Sequence, residues 1–283
     1  MPQIIKKLFG PDGPEVTCVG LGGEGVLRTH GQNDQARTVI ETALEQGVTY
    51  FDTAVAYAGS QSYLGQVWRA RPNDRARIFH TSKSAGRSKN HALADLDDTL
   101  RTLHTDYLDL WQIHDVRSMF ELDAIAGPNG ALEAFVRARQ AGKVRYIGVT
   151  GHHDPAVLTR AVEEWPVDAV LMPVNPVEAA LGGFLDQTLP LAREKGLAVI
   201  GMKALGAGHY ISPQAGISAE SLLRFALAQD IDVLIVGCSS PDEVKLLAQI
   251  GADPNIMTQK EQDDLVDLFQ PRAIQLAYYR GPV

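Results

Sequence analysis

The run Thr17-Cys18-Val19-Gly20-Leu21-Gly22-Gly23-Glu24-Gly25 decides between two folds. Residues 20–25 match G-x-G-x-x-G after an apolar, strand-like start, the pattern of a Rossmann dinucleotide site. In that fold the last glycine opens a helix whose N-terminus faces a pyrophosphate. Here residues 26–32 intervene, with Gly31 among them, before Asn33 or Asp34 can cap a helix. The acid expected about 20 residues on is also misplaced, because Asp52 lies late and belongs to another motif. A lone match of this kind is weak. The run reads instead as a glycine-lined strand end, where a ligand or another backbone comes close.

Outward from that run, short apolar or β-branched stretches alternate with longer ones of helical period. Strands are expected over residues 17–20, 48–52, 78–81, 107–113, 144–149, 168–172, 198–202 and 233–236. Helices are expected over 34–45, 60–70, 89–102, 131–141, 155–163, 184–194, 219–228 and 241–248. Gln46-Gly47, Ala141-Gly142 and Lys195-Gly196 each close a helix just before a strand. Eight strand–helix units with no break in composition predict one α/β domain over residues 1–283, a (β/α)8 TIM barrel. Residues 4–9 and 15–19, joined by Gly10-Pro11-Asp12-Gly13, predict a short N-terminal β-hairpin. A last helix is expected over 260–269, followed by an irregular end.

The 283 residues are 45% hydrophobic and 21% charged, with a net charge of -8 and dispersed Lys and Arg. That balance argues against nucleic acid or an anionic membrane as the main partner. No signal peptide is read at residues 1–10, and no apolar run approaches the roughly 20 residues of a bilayer span. Cys18 and Cys238 lie far apart in apolar runs and read as reduced core residues of a cytoplasmic protein. Oligomeric state is not legible.

In a barrel the chemistry gathers at the C-terminal strand ends. Asp52 ends the second strand and Tyr57 follows in its loop; Lys83 ends the third and His114 the fourth. The four suit carbonyl–alcohol interconversion. Tyrosine is a poor acid at neutral pH, and a nearby ammonium lowers its pKa. Lys83 would supply that charge and Asp52 would orient it. His114 would donate to the developing alkoxide. Each residue has a blander reading as cap, packing or solvated end, but together at successive strand ends they read as a catalytic set.

At these residues the chain resembles the aldo-keto reductase family. The likeness runs through Val19-Gly20-Leu21-Gly22-Gly23, Phe51-Asp52-Thr53-Ala54 with Tyr57, Tyr63-Leu64-Gly65, Thr81-Ser82-Lys83, Asp106-Tyr107-Leu108-Asp109-Leu110, Ile113-His114, residues 142–149 and Val236-Gly237. The resemblance implies a barrel binding NADP(H) in an extended pose, with Tyr57 as general acid/base supported by Lys83, Asp52 and His114. It implies a small-molecule aldehyde, ketone or alcohol as substrate. It also places the cofactor near Gly23, Thr150, Asn175, Met202, Lys203, Gly237, Ser239 and Glu243.

Several of these depart from the family's pattern. The usual Ser-Asn pair after the fifth strand is Thr150-Gly151-His152-His153, with Thr150 in the serine's place and His152 for the asparagine. Asn175 stands where a glutamine is usual, and Met202-Lys203 where an aromatic often stacks on the ring. Met202 would pack through its thioether and Lys203 would meet a phosphate. Glu243 lies near the arginine expected for a 2′-phosphate, so NADP is preferred on the family's habit and NAD stays open. The His152-His153 pair invites a metal, but neighbours on an extended chain point to opposite faces, so none is expected. Segments 24–30, 116–129 and 206–213, with Val55 and Tyr210, would shape the substrate pocket. The sequence leaves open whether Tyr278-Tyr279-Arg280 covers it. It also leaves open a nucleotide-sensing barrel without turnover, or an NAD-dependent sugar or alcohol dehydrogenase working in reverse.

Overall fold

The computed structural model describes residues 3–253 and 255–281. A two-stranded antiparallel hairpin, β1 (Lys6–Leu8) and β2 (Glu15–Thr17), precedes eight parallel strands. These are β3 (Val19–Gly25), β4 (Tyr50–Asp52), β5 (Phe79–Ser84), β6 (Leu108–Ile113), β7 (Val144–Thr150), β8 (Ala169–Pro173), β9 (Ala198–Met202) and β10 (Val233–Cys238). They pair in sequence order, and β10 closes on β3 to complete the barrel. The expected fold class therefore holds.

Two apolar layers build it. Inside the barrel, Tyr50, Phe79, Leu110, Leu171, Ile200 and Val233 pack with Phe9 and Val16 of the hairpin region. The hairpin thus plugs the N-terminal end, and its aromatic contact Phe9–Phe79 spans 4.5 Å between ring centroids. Outside, the alternate strand residues meet the helices, as where Trp111 stacks on Phe135 at 3.6 Å. Period-two alternation explains both layers at once.

Four expectations are corrected. The first barrel strand runs through the glycine run to Gly25, while Thr17 belongs to β2. The Rossmann alternative therefore fails on geometry, since Gly20, Leu21, Gly22 and Gly25 pair with β10 and the run stays in the strand rather than turning into a helix. A Cβ at Gly25 would lie 2.5 Å from the Cys238 carbonyl oxygen, so glycine is needed where β3 meets β10. The predicted helix over 184–194 is a wide π-type turn, Phe184–Thr188, and then a helix, Leu189–Glu194. The 116–129 segment holds a helix, Met119–Ala126, whose Ser118 side chain caps Glu121 N–H. A further helix, Pro176–Leu181, follows β8, and the irregular end includes short helical turns over Gln270–Arg272 and Ala273–Leu276. Cys18 and Cys238 are buried and unbridged, and burial pushes their thiols up to about 11 and about 12.

Candidate active site

The same alternation that fills the barrel carries polar groups to its C-terminal rim. Tyr50 and Phe79 lie opposite each other in the register, and two residues on Asp52 faces Thr81. Two further on, Lys83 faces Gln112 of β6. Lys83 and Asp52 are fully buried and joined at 2.6 Å, Nζ to Oδ2. Lys83 also donates to the Thr53 carbonyl at 2.9 Å, and Thr81 donates to the other Asp52 oxygen at 2.8 Å. Burial pushes the Asp52 carboxyl up and pulls the Lys83 ammonium down, and their contact counters both.

Tyr57 turns back over this pair. Its ring centroid lies 4.7 Å from Lys83 Nζ, and the His114 ring meets it edge-on at 5.5 Å. Arg28 covers the ring at 5.2 Å and is paired with Glu24 at 2.7 Å. The structure thus brings together all four residues of the expected catalytic set. It corrects their electrostatics, however. Burial, and then the Asp52 and Glu24 carboxylates, hold the phenol well above its ordinary value. Lys83, its ammonium engaged by Asp52 and lying against the ring, does not outweigh burial and the two carboxylates. His114 is lowered to about 3 by burial and by the Lys83 charge, so its imidazole is neutral.

Gly23 has a packing reason of its own. A Cβ there would lie 2.8 Å from Tyr57 Cδ2, so the glycine admits the tyrosine. At Gly237 the same atom would meet the Glu24 Cβ at 2.6 Å. At both glycines, expected at the cofactor, the Cβ position is filled by the protein's own atoms.

The opposite half of the rim, at the ends of β7 to β10, is closed by contacts distant in sequence. Thr150 Oγ1 accepts the Asp115 N–H at 2.8 Å. Asn175 caps the helix Pro176–Leu181 by accepting from Glu178 N–H at 3.0 Å. Its amide donates to the Lys203 carbonyl and to the Tyr279 hydroxyl, so both of its hydrogens are committed within the protein. Residues 277–281 lie across the ends of β7 to β9, which answers the question the sequence left open. Tyr279 donates to Glu178 Oε1 at 2.7 Å, accepts from Tyr210, and has Lys203 Nζ 5.3 Å from its ring centroid. Arg280 forms an ion pair with the buried Glu178, and Gly281 N–H donates to the His153 carbonyl at 3.1 Å. Sequence reasoning missed Glu178 and Asp115 as site-shaping residues and left Tyr279 open. A Pro at N1 with an acid at N3 after Asn175 was the available signal for the capped helix.

Lys203 is half-buried, its ammonium has no carboxylate partner among the described residues, and burial lowers it. Met202 packs on the inner barrel layer. Beyond β10, Ser240 caps the helix Pro241–Gly251. The Glu243 carboxylate takes the Ser239 N–H at 2.6 Å, and Gln35 donates to the Ser239 carbonyl at 2.7 Å. Non-glycine residues with positive φ stand on the rim, among them Ala58 at 36°, Asp115 at 57°, Lys203 at 59° and Ala207 at 53°. Such strained positions cluster at functional sites. No helix among the described residues is long and apolar enough to cross a membrane.

Comparisons agree with this architecture. The profile of the Aldo/keto reductase family matches residues 18–215. The uncharacterized oxidoreductase YcsN of Bacillus subtilis (strain 168) is 30% identical over 192 residues, 60% of this chain and 61% of that protein. L-galactose dehydrogenase of Arabidopsis thaliana is 26% identical across 92% of this chain and 94% of its own length. Among solved structures, the holo form of aldo-keto reductase AKR11C1 from Bacillus halodurans superposes with a TM-score of 0.76 at 22% identity, covering 94% of this chain and 96% of that one. An aldo-keto reductase from Klebsiella pneumoniae in complex with NADPH gives the same TM-score, identity and coverage. At that identity the structural likeness speaks for the fold.

Proposed function

The chain belongs to the aldo/keto reductase family, and from that premise we propose that it interconverts an aldehyde or ketone with its alcohol at the cluster of Asp52, Tyr57, Lys83 and His114. The observation that carries this reading is the Tyr57 ring packed against both the Lys83 ammonium and the His114 imidazole at the C-terminal mouth of the barrel. A nicotinamide dinucleotide, when bound, supplies or accepts the hydride. In the reducing direction, the phenol that burial keeps protonated hands its proton to the carbonyl oxygen. A neutral His114 donates a hydrogen bond to that same oxygen and orients it. The phenolate left behind is stabilised by the ammonium beneath its ring, and Asp52 with the Thr53 carbonyl fixes that ammonium in place. Reversal of each step oxidises an alcohol.

The residues fit an anionic dinucleotide at Lys203, whose ammonium stands at the end of β9 without a carboxylate partner among the described residues. Thr150, Asn175 and Met202 would line the nicotinamide side, with Asn175 acting through the cap and tail it already holds. The NADPH bound by the Klebsiella relative supports NADP(H). One observation favours NAD(H) as a second reading. The Ser239 N–H, a donor a 2′-phosphate would want, is taken by Glu243, and Lys245 is paired with Asp242 at 3.1 Å. A carboxylate at that place repels a phosphate and accepts from a ribose hydroxyl.

Loss of NADPH or NADH absorbance with a panel of aldehydes and ketones tests the reaction. Turnover is expected to fall to background in Tyr57→Phe. No turnover above that control, with dinucleotide binding intact by fluorescence titration, would return the chain to a nucleotide-sensing barrel. Tighter binding of NADH than NADPH would decide for the second cofactor reading.

A further inference from the structure

We propose that Asp115, His152 and His153 form a binding site for a divalent transition-metal ion of the zinc class, on the barrel rim beside His114. The inference stands on lone pairs that face one another. His152 Nδ1 lies 3.2 Å from the Tyr279 carbonyl oxygen. A carbonyl only accepts, so Nδ1 carries the ring hydrogen and Nε2 presents its lone pair. That nitrogen lies 3.1 Å from Asp115 Oδ1. Oδ1 is buried without a hydrogen-bond partner, and Asp115 as a whole is only 9% exposed. Two acceptors this close repel each other unless a cation stands between them.

His153 supplies a third donor. The expectation that adjacent histidines face apart assumed an extended chain. The pair instead follows the end of β7, and the two rings lie side by side, centroids 5.2 Å apart. One ligand atom from each of Asp115, His152 and His153 lies within 4.8 Å of the others. Two imidazole nitrogens and one carboxylate oxygen suit zinc and its neighbours better than magnesium or calcium, which prefer all-oxygen sets. The Tyr279 carbonyl orients His152 as outer-shell carbonyls orient ligating histidines elsewhere. The other Asp115 oxygen is held by Arg117 at 2.6 Å, which fixes the carboxylate. The positive charges of Arg117 and Lys203 lower the affinity, so binding is expected in the micromolar range rather than tighter.

A proton shared between His152 and Asp115 would answer the same electrostatic need but would not require His153. The test uses that difference and depends only on binding, so it is independent of the proposed reaction. Full-length protein, freed of metal by chelator, is titrated with ZnCl2 by calorimetry and with Co2+ by visible absorption. One Zn2+ per chain and Co2+ ligand-field bands are expected. His153→Gln, at a half-exposed position, should weaken Zn2+ by about tenfold or more. Asp115→Asn should do the same, and His104→Asn, remote from the site, should change nothing. Wild-type binding no tighter than that of His153→Gln overturns the metal and leaves the proton as the shared cation.

Discussion

The two halves of the barrel mouth are built by different means. At the ends of β4 to β6, polar groups arrive by strand alternation alone: Asp52 lies two residues after Tyr50, and Lys83 four after Phe79. The ends of β7 to β9 are covered by residues 277–281, so Asn175, Glu178 and Lys203 meet Tyr279 and Arg280 from far along the chain. Local register makes the first half stiff and repeatable. Long-range closure builds the second half, where Asn175 and Lys203, two groups that a dinucleotide would be expected to meet, already touch Tyr279 of the protein's own tail.

The largest break should come in the first half. Tyr57→Phe is expected to lower the rate of carbonyl reduction by about 10²–10⁴-fold while dinucleotide affinity, read by fluorescence, stays nearly unchanged. Lys83→Met probes the same half through stability. It leaves the buried Asp52 carboxylate without its counter-charge and should cost about 3–5 kcal/mol in urea unfolding, with part regained when Asp52→Asn is added. On the other half, Arg280→Ala leaves Glu178 unpaired. The loss should be smaller, about 1–3 kcal/mol, because the tail can relax into water, and hydrogen exchange should quicken at residues 277–281 first. Glu243→Arg is expected to tighten NADPH relative to NADH by about tenfold, a change confined to the second half.

The smallest effect is that of pH on reduction, and it follows the sign of the Tyr57 shift. Burial raises the phenol's affinity for its proton, so the protonated form persists through neutrality. Reduction, which needs that proton, should be nearly flat between about pH 6 and 9 on the tyrosine's account. Oxidation needs the phenolate and should rise with pH across the same range. An acidic limb in Tyr57→Phe equal to that of the wild type would assign the dependence to another group.

The half at the ends of β4 to β6 was legible because motif and period agree. Residues 50–57, 79–83 and 108–114 each pair an alternating strand with a reactive residue at its end. What the sequence misjudged there was charge. Lys83 does lie beside Tyr57, but Asp52 engages its ammonium and burial dominates the phenol. The other half was hardly legible. Nothing local to Asn175 announces Tyr279, and nothing local to His152 announces Asp115. Even the relation of His152 to His153 was misread, because the chain leaves β7 before it reaches them.

The sequence by itself determined the eightfold strand–helix order, the N-terminal hairpin and the four polar residues at successive strand ends, because side-chain period and turn chemistry act over a few residues. Tertiary structure decided which charges are paired, which way the Tyr57 proton affinity moves and where the tail comes to rest. Those properties depend on burial and on distances between residues far apart in the chain, which no local pattern encodes.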